Sequence, residues 1–303
     1  MIIMLRLVHT LRFILNHPLN DSVKRKWTAI TTYFRWQISS RLALGPTLVP
    51  FVNGTQLIVT SGMMGATGNI YVGLNEFSDC AFLLHLLRPS DLFVDIGANV
   101  GSYSVLASGA VGARTVSIEP IPGTFAKLIA NMRVNNIVDR VMCCNIGLGR
   151  ANDTLHFTTD SDTTNHVVNG QDPHGATTLV SVQPLDDVLL ADATPVLIKL
   201  DVEGWESEVL AGAKATLQQP SLLGLIVEMN SRGKCFSENE QAIDDCLRSH
   251  GFAPHAYAPF ARKLTPLASK NPKESNTIYL RNIEFVKERL MTAPPFYVSG
   301  RPI

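Results

Sequence analysis

The sequence predicts a doubly wound α/β fold with a mostly parallel sheet, preceded by an N-terminal helical and β extension. Two features carry that prediction. From residue 92 onward, short apolar runs rich in β-branched residues alternate with helical stretches, the pattern of buried parallel strands joined by crossover helices. The first such run enters the turn Val94-Asp95-Ile96-Gly97-Ala98-Asn99-Val100-Gly101, where open α/β sheets receive nucleotides.

Composition bounds the rest. The 303 residues suffice for one large α/β domain with additions or for two smaller domains. With 26 basic and 26 acidic residues, no net field draws the chain to nucleic acid or to an acidic membrane surface. The cysteines, Cys80, Cys143, Cys144, Cys235 and Cys246, are odd in number, irregularly spaced and without a C-x-x-C pair. They argue against a disulfide framework and for a reducing cytoplasm.

The apolar start of the chain is interrupted by Arg6 and Arg12 and lacks a small-residue cleavage site. It is too short for stable membrane insertion and reads as an amphipathic helix packed on the domain, with a peripheral membrane contact as the alternative. Up to about residue 45, one or two helices broken at Pro18 set Lys24, Arg25, Lys26 and Arg35 among Trp27, Tyr33, Phe34 and Trp36. A solvated helix face is expected there. Residues 47–59 are β-rich, and the glycines of 61–68 read as turns. A helix over 76–87 stops before Pro89. Strands follow at 92–96, 115–119, 141–146, 196–200 and 223–229, and helices at 102–110, 123–135, 206–218 and 239–250. Threonine-rich alternation over 153–182 suggests a β-hairpin or mobile insert on the site side. The domain map is therefore an extension over 1–75, a ligand-binding domain over 76–285 and a tail over 286–303.

Glycines in the first turn let the backbone lie against a ligand. A dinucleotide site would need glycine where Asn99 and Ser102 stand, because a pyrophosphate must reach the helix N-terminus. Asp95 would repel a pyrophosphate but could face an ammonium or sulfonium cation. Glu119, ending the second strand, stands near the interval at which a carboxylate takes ribose hydroxyls. At the fourth strand's end Lys199, Asp201, Glu203 and Glu206 gather, and Glu228 ends the fifth. The charges converge on one edge of the sheet, where perturbed groups mark functional sites. His156, His166 and His174 match no compact metal motif, and no metal is expected.

Taken in order, V-D-I-G-A-N-V-G, I-E-P, I-K-L-D-V-E-G-W-E and V-E-M-N resemble the FkbM-type methyltransferases, of the Rossmann-like class I. The resemblance runs from about Glu76 to Leu280, with Asn276–Leu280 similar to the family's late strand. It implies S-adenosylmethionine as methyl donor and, as acceptor, usually a hydroxyl of a sugar, polyketide or related metabolite. Carried over by residue, it implies that Asp95, Gly97, Asn99 and Gly101 line the methionine and ribose end and that Glu119 holds the ribose. Asn145 and Ile146 would lie beside the adenine, and Asp201 and Glu203 would face the transferred methyl. The expected partner is a small-molecule or saccharide acceptor, not nucleic acid, and oligomerisation stays open. An NAD-type oxidoreductase and a non-catalytic scaffold of the same fold are the competing readings.

Overall fold

A computed structural model describes residues 2–42, 45–60, 63–159, 166–168, 176–229 and 237–303. Two helices, α1 (Ile2–Asn16) and α2 (Val23–Leu42), open the chain, followed by the antiparallel pair β1 (Thr47–Pro50) and β2 (Gln56–Val59). Where the glycines of 61–68 predict turns, the helix α3 (Met64–Val72) begins inside that segment. Gly68 belongs to it because a Cβ there would collide with the Asn75 side chain, so the glycine serves close packing rather than a turn. The helix α4 (Phe77–Leu86) then runs to the sheet.

The parallel part of the sheet consists of β3 (Leu92–Ile96), β4 (Arg114–Ile118), β5 (Val141–Cys144), β9 (Pro195–Leu200) and β10 (Gly224–Glu228). Each agrees to within about two residues with an apolar run read from the sequence. Between β5 and β9 a separate three-stranded sheet forms from β6 (Gly147–Leu148), β7 (Asp153–Thr158) and β8 (Thr177–Gln183), with β7 and β8 antiparallel. Three further strands, β11 (Ala253–Ala258), β12 (Lys263–Pro266) and β13 (Asn276–Leu280), complete eight in the order β12-β11-β13-β10-β9-β3-β4-β5, with β13 antiparallel to both β10 and β11.

Period-two alternation explains why β3 is buried on both faces. Phe93 points into one apolar cluster with Phe82, Leu83 and Leu106, while Leu92, Val94 and Ile96 point into another with Val209, Leu217 and Leu247. Burying a side chain such as Phe93 contributes roughly 1.5–3 kcal/mol. The first cluster also holds Trp36, Phe51, Val52 and Leu57, so the N-terminal extension and the sheet share one core.

The crossover segments are less regular than their periodicity suggests. The first begins as α5 (Ser102–Ser104) and continues as a π-helix through Val111. The next is α6 (Pro122–Val134), and a short α7 (Leu185–Val188) precedes β9. The helix expected over 206–218 is broken into α8 (Glu206–Ala211) and α9 (Lys214–Gln218), and at the break Gly212 lies against the Gly149 carbonyl, where a Cβ would overlap it. Then α10 (Glu238–Ser249) starts with a capping box, Ser237 accepting from Glu240 N and Glu240 from Ser237 N. The boundary drawn at 285 falls inside α11 (Ile283–Thr292), whose Val286 and Leu290 are fully buried, and the hairpin β14 (Tyr297–Val298) and β15 (Arg301–Pro302) follows. Among the described residues no helix is long and apolar enough to cross a membrane.

Candidate active site

Leaving β3, the chain builds β4 and β5 to one side and returns to build β9 and β10 on the other. The order reverses between β3 and β9, which opens a crevice outside their carboxyl ends. A cleft of about 270 Å³ lies there, and of the residues predicted for the site Asp95, Gly97, Asn99, Glu119, Ile146, Asp201 and Glu203 line it.

Gly97 has φ +75°, and any Cβ there would collide with the Asp201 carbonyl, so the turn after β3 can lie against the end of β9 only with glycine. Asn99 also has positive φ, and its Oδ1 accepts from Val100 N at 2.7 Å. Its own N–H donates to Glu119 Oε2 at 3.0 Å. Glu119 also accepts from Ile121 N at 2.9 Å. Burial raises its pKa to about 7, against the lowering effect of those two N–H groups. Asp95 is buried, with Ser104 Oγ donating to its Oδ2 at 2.6 Å, while its Oδ1 has no hydrogen-bond partner among the described residues.

Two predicted residues are not among those lining the cleft. Gly101, at φ +87°, is pressed against Leu128 and Met132, so it serves the packing of α6. Asn145 turns its amide back, donating to the carbonyls of Glu119 at 2.8 Å and Pro120 at 3.0 Å, and so braces the end of β4. Ile146 forms an apolar wall with Ile121, Phe157 and Trp205.

At the other end, buried Lys199 donates to Asp201 Oδ2 at 2.6 Å and lies 4.9 Å from the Tyr103 ring centroid. Burial alone would discharge the lysine, but Asp201, Glu76 and Asp95 outweigh it and raise its pKa. Burial likewise opposes the charge on Asp201, yet Lys199 holds that carboxyl below its ordinary value. Glu228, sharing a hydrogen bond with Asp201, is pushed up to about 10 by burial and by Asp201. Glu203 is half-buried at φ 54°, a left-handed conformation that is costly for a residue with a Cβ. Burial, Asp201 and Glu206 raise its pKa to about 7. One oxygen from each of Asp201, Glu203 and Glu228 lies within 4.8 Å of the others, a grouping that could hold a cation although the sequence invokes none.

Sequence reasoning missed Asn69, Asn75, Glu76, Cys80 and Tyr103, which also line the cleft. Tyr103 donates to Glu76 Oε2 at 2.7 Å, and Asn276 Nδ2 donates to Glu76 Oε1 at 3.2 Å. Tyr103 could have been suspected from its place just after the glycine turn; Glu76 precedes every motif. Of the histidines, His166 is half-buried and its charge acts on Glu203, His156 is exposed, and His174 lies outside the described residues.

The raised carboxyls make the ligand-free protein sensitive to pH. Glu119 and Glu203 bind protons more tightly when folded, near 7 against 4.5 ordinarily, so their contribution is present in acid and is lost as pH rises through about 7. Ligand-free protein is expected to melt at higher temperature at pH 6 than at pH 8. Scanning calorimetry checks this, and a Glu119→Gln/Glu203→Gln variant should show a smaller difference.

The model of the FkbM methyltransferase domain matches residues 95–254. Hexuronic acid methyltransferase AglP of Haloferax volcanii is 28% identical over 153 residues, 49% of this chain and 60% of that protein. Among solved structures, P. horikoshii TYW2 in complex with MeSAdo aligns with TM-score 0.40 at 14% identity, over 82% of this chain and 80% of that one. Precorrin-6y C5,15-methyltransferase of Geobacter metallireducens aligns with TM-score 0.40 at 13% identity, over 74% and 91%. With the family model matched across the glycine turn, the Glu119 strand end and the β9 carboxylates, the chain belongs to the FkbM methyltransferase family.

Proposed function

We propose that the protein is an S-adenosylmethionine-dependent O-methyltransferase acting on a hydroxyl of a sugar, polyketide or related metabolite. Glu203 carries the reading: a strained, half-buried carboxylate with a pKa near 7, suited to accept a proton at the mouth of the cleft. Asp201 is a weaker base because Lys199 keeps it ionised, and Glu228 is protonated at neutral pH. Glu228 donates its proton to Asp201, which leaves Asp201 to accept from an acceptor hydroxyl and so position it.

The residues present fit the methyl donor. Glu119 would hold the ribose hydroxyls, the unpartnered Oδ1 of Asp95 suits the donor's ammonium, and Ile121, Ile146 and Phe157 would flank the base. When bound, S-adenosylmethionine supplies an electrophilic methyl carried on a sulfonium. The protein's part is to align the acceptor, exclude water and take the proton at the Glu203 carboxylate. Against an NAD-type oxidoreductase, the N–H groups of Asn99 and Val100 are already satisfied by Glu119 and Asn99, and two carboxylates face the space a pyrophosphate would need.

Calorimetry with S-adenosylhomocysteine and with NAD tests the donor assignment. Binding of the first and not the second is expected, and Glu119→Ala should weaken it by roughly 1–3 kcal/mol through lost charge-assisted hydrogen bonds. Tight NAD binding with no response to S-adenosylhomocysteine would overturn the reading. Labelled methyl transfer to a panel of saccharides and hydroxylated metabolites, read by mass spectrometry, tests the acceptor class.

A further inference from the structure

The even charge of the whole chain conceals a local imbalance: through residue 42 the sequence carries Arg6, Arg12, Lys24, Arg25, Lys26, Arg35 and Arg41 against Asp21 alone. Asp21 is already engaged, with Arg25 at 4.0 Å and Arg301 at 3.0 Å. The helix α2 also has two apolar faces. One, with Ala29, Tyr33 and Trp36, is buried against the protein. The other is a stripe of Val23, Trp27, Phe34, Ile38 and Leu42, spaced by four or seven residues and therefore on one side of a helix. It faces solvent: Trp27 is 64% exposed, Val23 74% and Leu42 80%. Lys24, Arg35 and Arg41 lie within or beside it.

We propose that the outer face of α2 docks on the surface of a lipid bilayer containing anionic lipids, lying in the interface without crossing it. An exposed apolar stripe carrying a tryptophan and bordered by basic side chains has the chemistry of an interfacial helix. The apolar groups enter the acyl boundary while the cations meet acidic headgroups. A second copy of the chain is a poorer occupant, since two-fold pairing of the same face would bring both sets of Lys24, Arg35 and Arg41 into one interface, and α2 carries no acidic residue to meet them. Nucleic acid would use the cations but leave the apolar stripe in water. The inner face of α2, opposite the stripe, packs on α3 through Tyr33 and Tyr71, whose rings are 5.1 Å apart, and α3 supplies Asn69 to the cleft lining. Docking would set α2 and α3 between the membrane surface and the cleft.

The test is co-sedimentation of the full chain with phosphatidylcholine vesicles, with and without one part in three of phosphatidylglycerol, at low and high salt. The expected result is sedimentation with the anionic vesicles only, weakened by salt, with a blue shift in tryptophan emission that disappears in Trp27→Phe. Phe34→Ser/Ile38→Ser and Lys24→Glu/Arg35→Glu should each lower partitioning by at least about tenfold. Their circular dichroism and S-adenosylhomocysteine binding should stay unchanged, because these side chains are exposed and outside the cleft. The proposal is overturned if the wild-type chain stays in the supernatant with anionic vesicles at low salt, or binds neutral vesicles equally well. It also fails if ultracentrifugation finds a dimer that Phe34→Ser/Ile38→Ser dissociates, which would make the stripe a subunit interface. Loss of S-adenosylhomocysteine binding in wild type would strike at the methyltransferase reading instead and leave the vesicle result standing.

Discussion

Glu203→Gln is expected to lower kcat by roughly 10²–10⁴-fold while leaving donor affinity nearly unchanged, because a general base acts only as the acceptor's proton leaves in the transition state. The wild-type rate should rise with pH through about 7, since Glu203 must be deprotonated to accept. That limb should vanish from the residual activity of the glutamine variant. Asp201→Asn separates the roles. It removes the partner that holds Lys199 at 2.6 Å, so KM for the acceptor should rise, while the pH limb persists but moves to lower pH because the Asp201 charge no longer helps to raise Glu203. If Glu203→Gln keeps both wild-type turnover and the pH limb, proton removal belongs to another group, and half-buried His166 is the next to replace.

Gly97→Ala carries the largest expected cost in stability. The residue sits at φ +75°, where an L side chain costs roughly 1–2 kcal/mol. Its new methyl would meet the backbone carbonyl of Asp201, which cannot swing aside as a side chain could, and such overpacking costs roughly 1–3 kcal/mol more. Urea unfolding should show a loss of roughly 2–5 kcal/mol from these two effects together. Gly123→Ala is the control: nothing lies within 4 Å of its added Cβ and it sits in a helix, so it should be neutral or stabilising. Equal stabilities for the two variants would mean that the turn relaxes and is not held against β9.

Legibility followed locality. The five parallel strands could be read because strands buried on both faces are continuous apolar runs, and the glycine turn because positive φ restricts residue choice at Gly97. Carboxylates at strand ends, Glu119 and Asp201, could be read from their positions alone. Hidden from the sequence were features created by packing between distant segments. Glu76 and Asn69 enter the cleft from elements ahead of every motif, and Gly101 is a glycine for the sake of Leu128 and Met132. The start of α3 was obscured because glycines that permit close approach look like glycines that make turns. Asn145 stood beside Ile146 with nothing in the sequence to say that its amide would turn back to the end of β4.

The hydrogen bonds of Asn276 to Glu76 and Asp79, at 3.2 and 3.0 Å, join side chains at opposite ends of the domain, 200 and 197 positions apart in sequence. Closing so wide a loop costs entropy before any contact repays it, which slows folding. On the ribosome, the wall that Glu76 forms stays unfinished until β13 has emerged, a wait of roughly 10–40 s at about 5–20 residues per second. Until then Asp79 is a carboxyl awaiting its amide, and the backbone edge of β10 that β13 will pair with is open to chaperones. The nascent chain therefore has its glycine turn long before it has a complete cleft, and competence to hold an acceptor comes late in its synthesis.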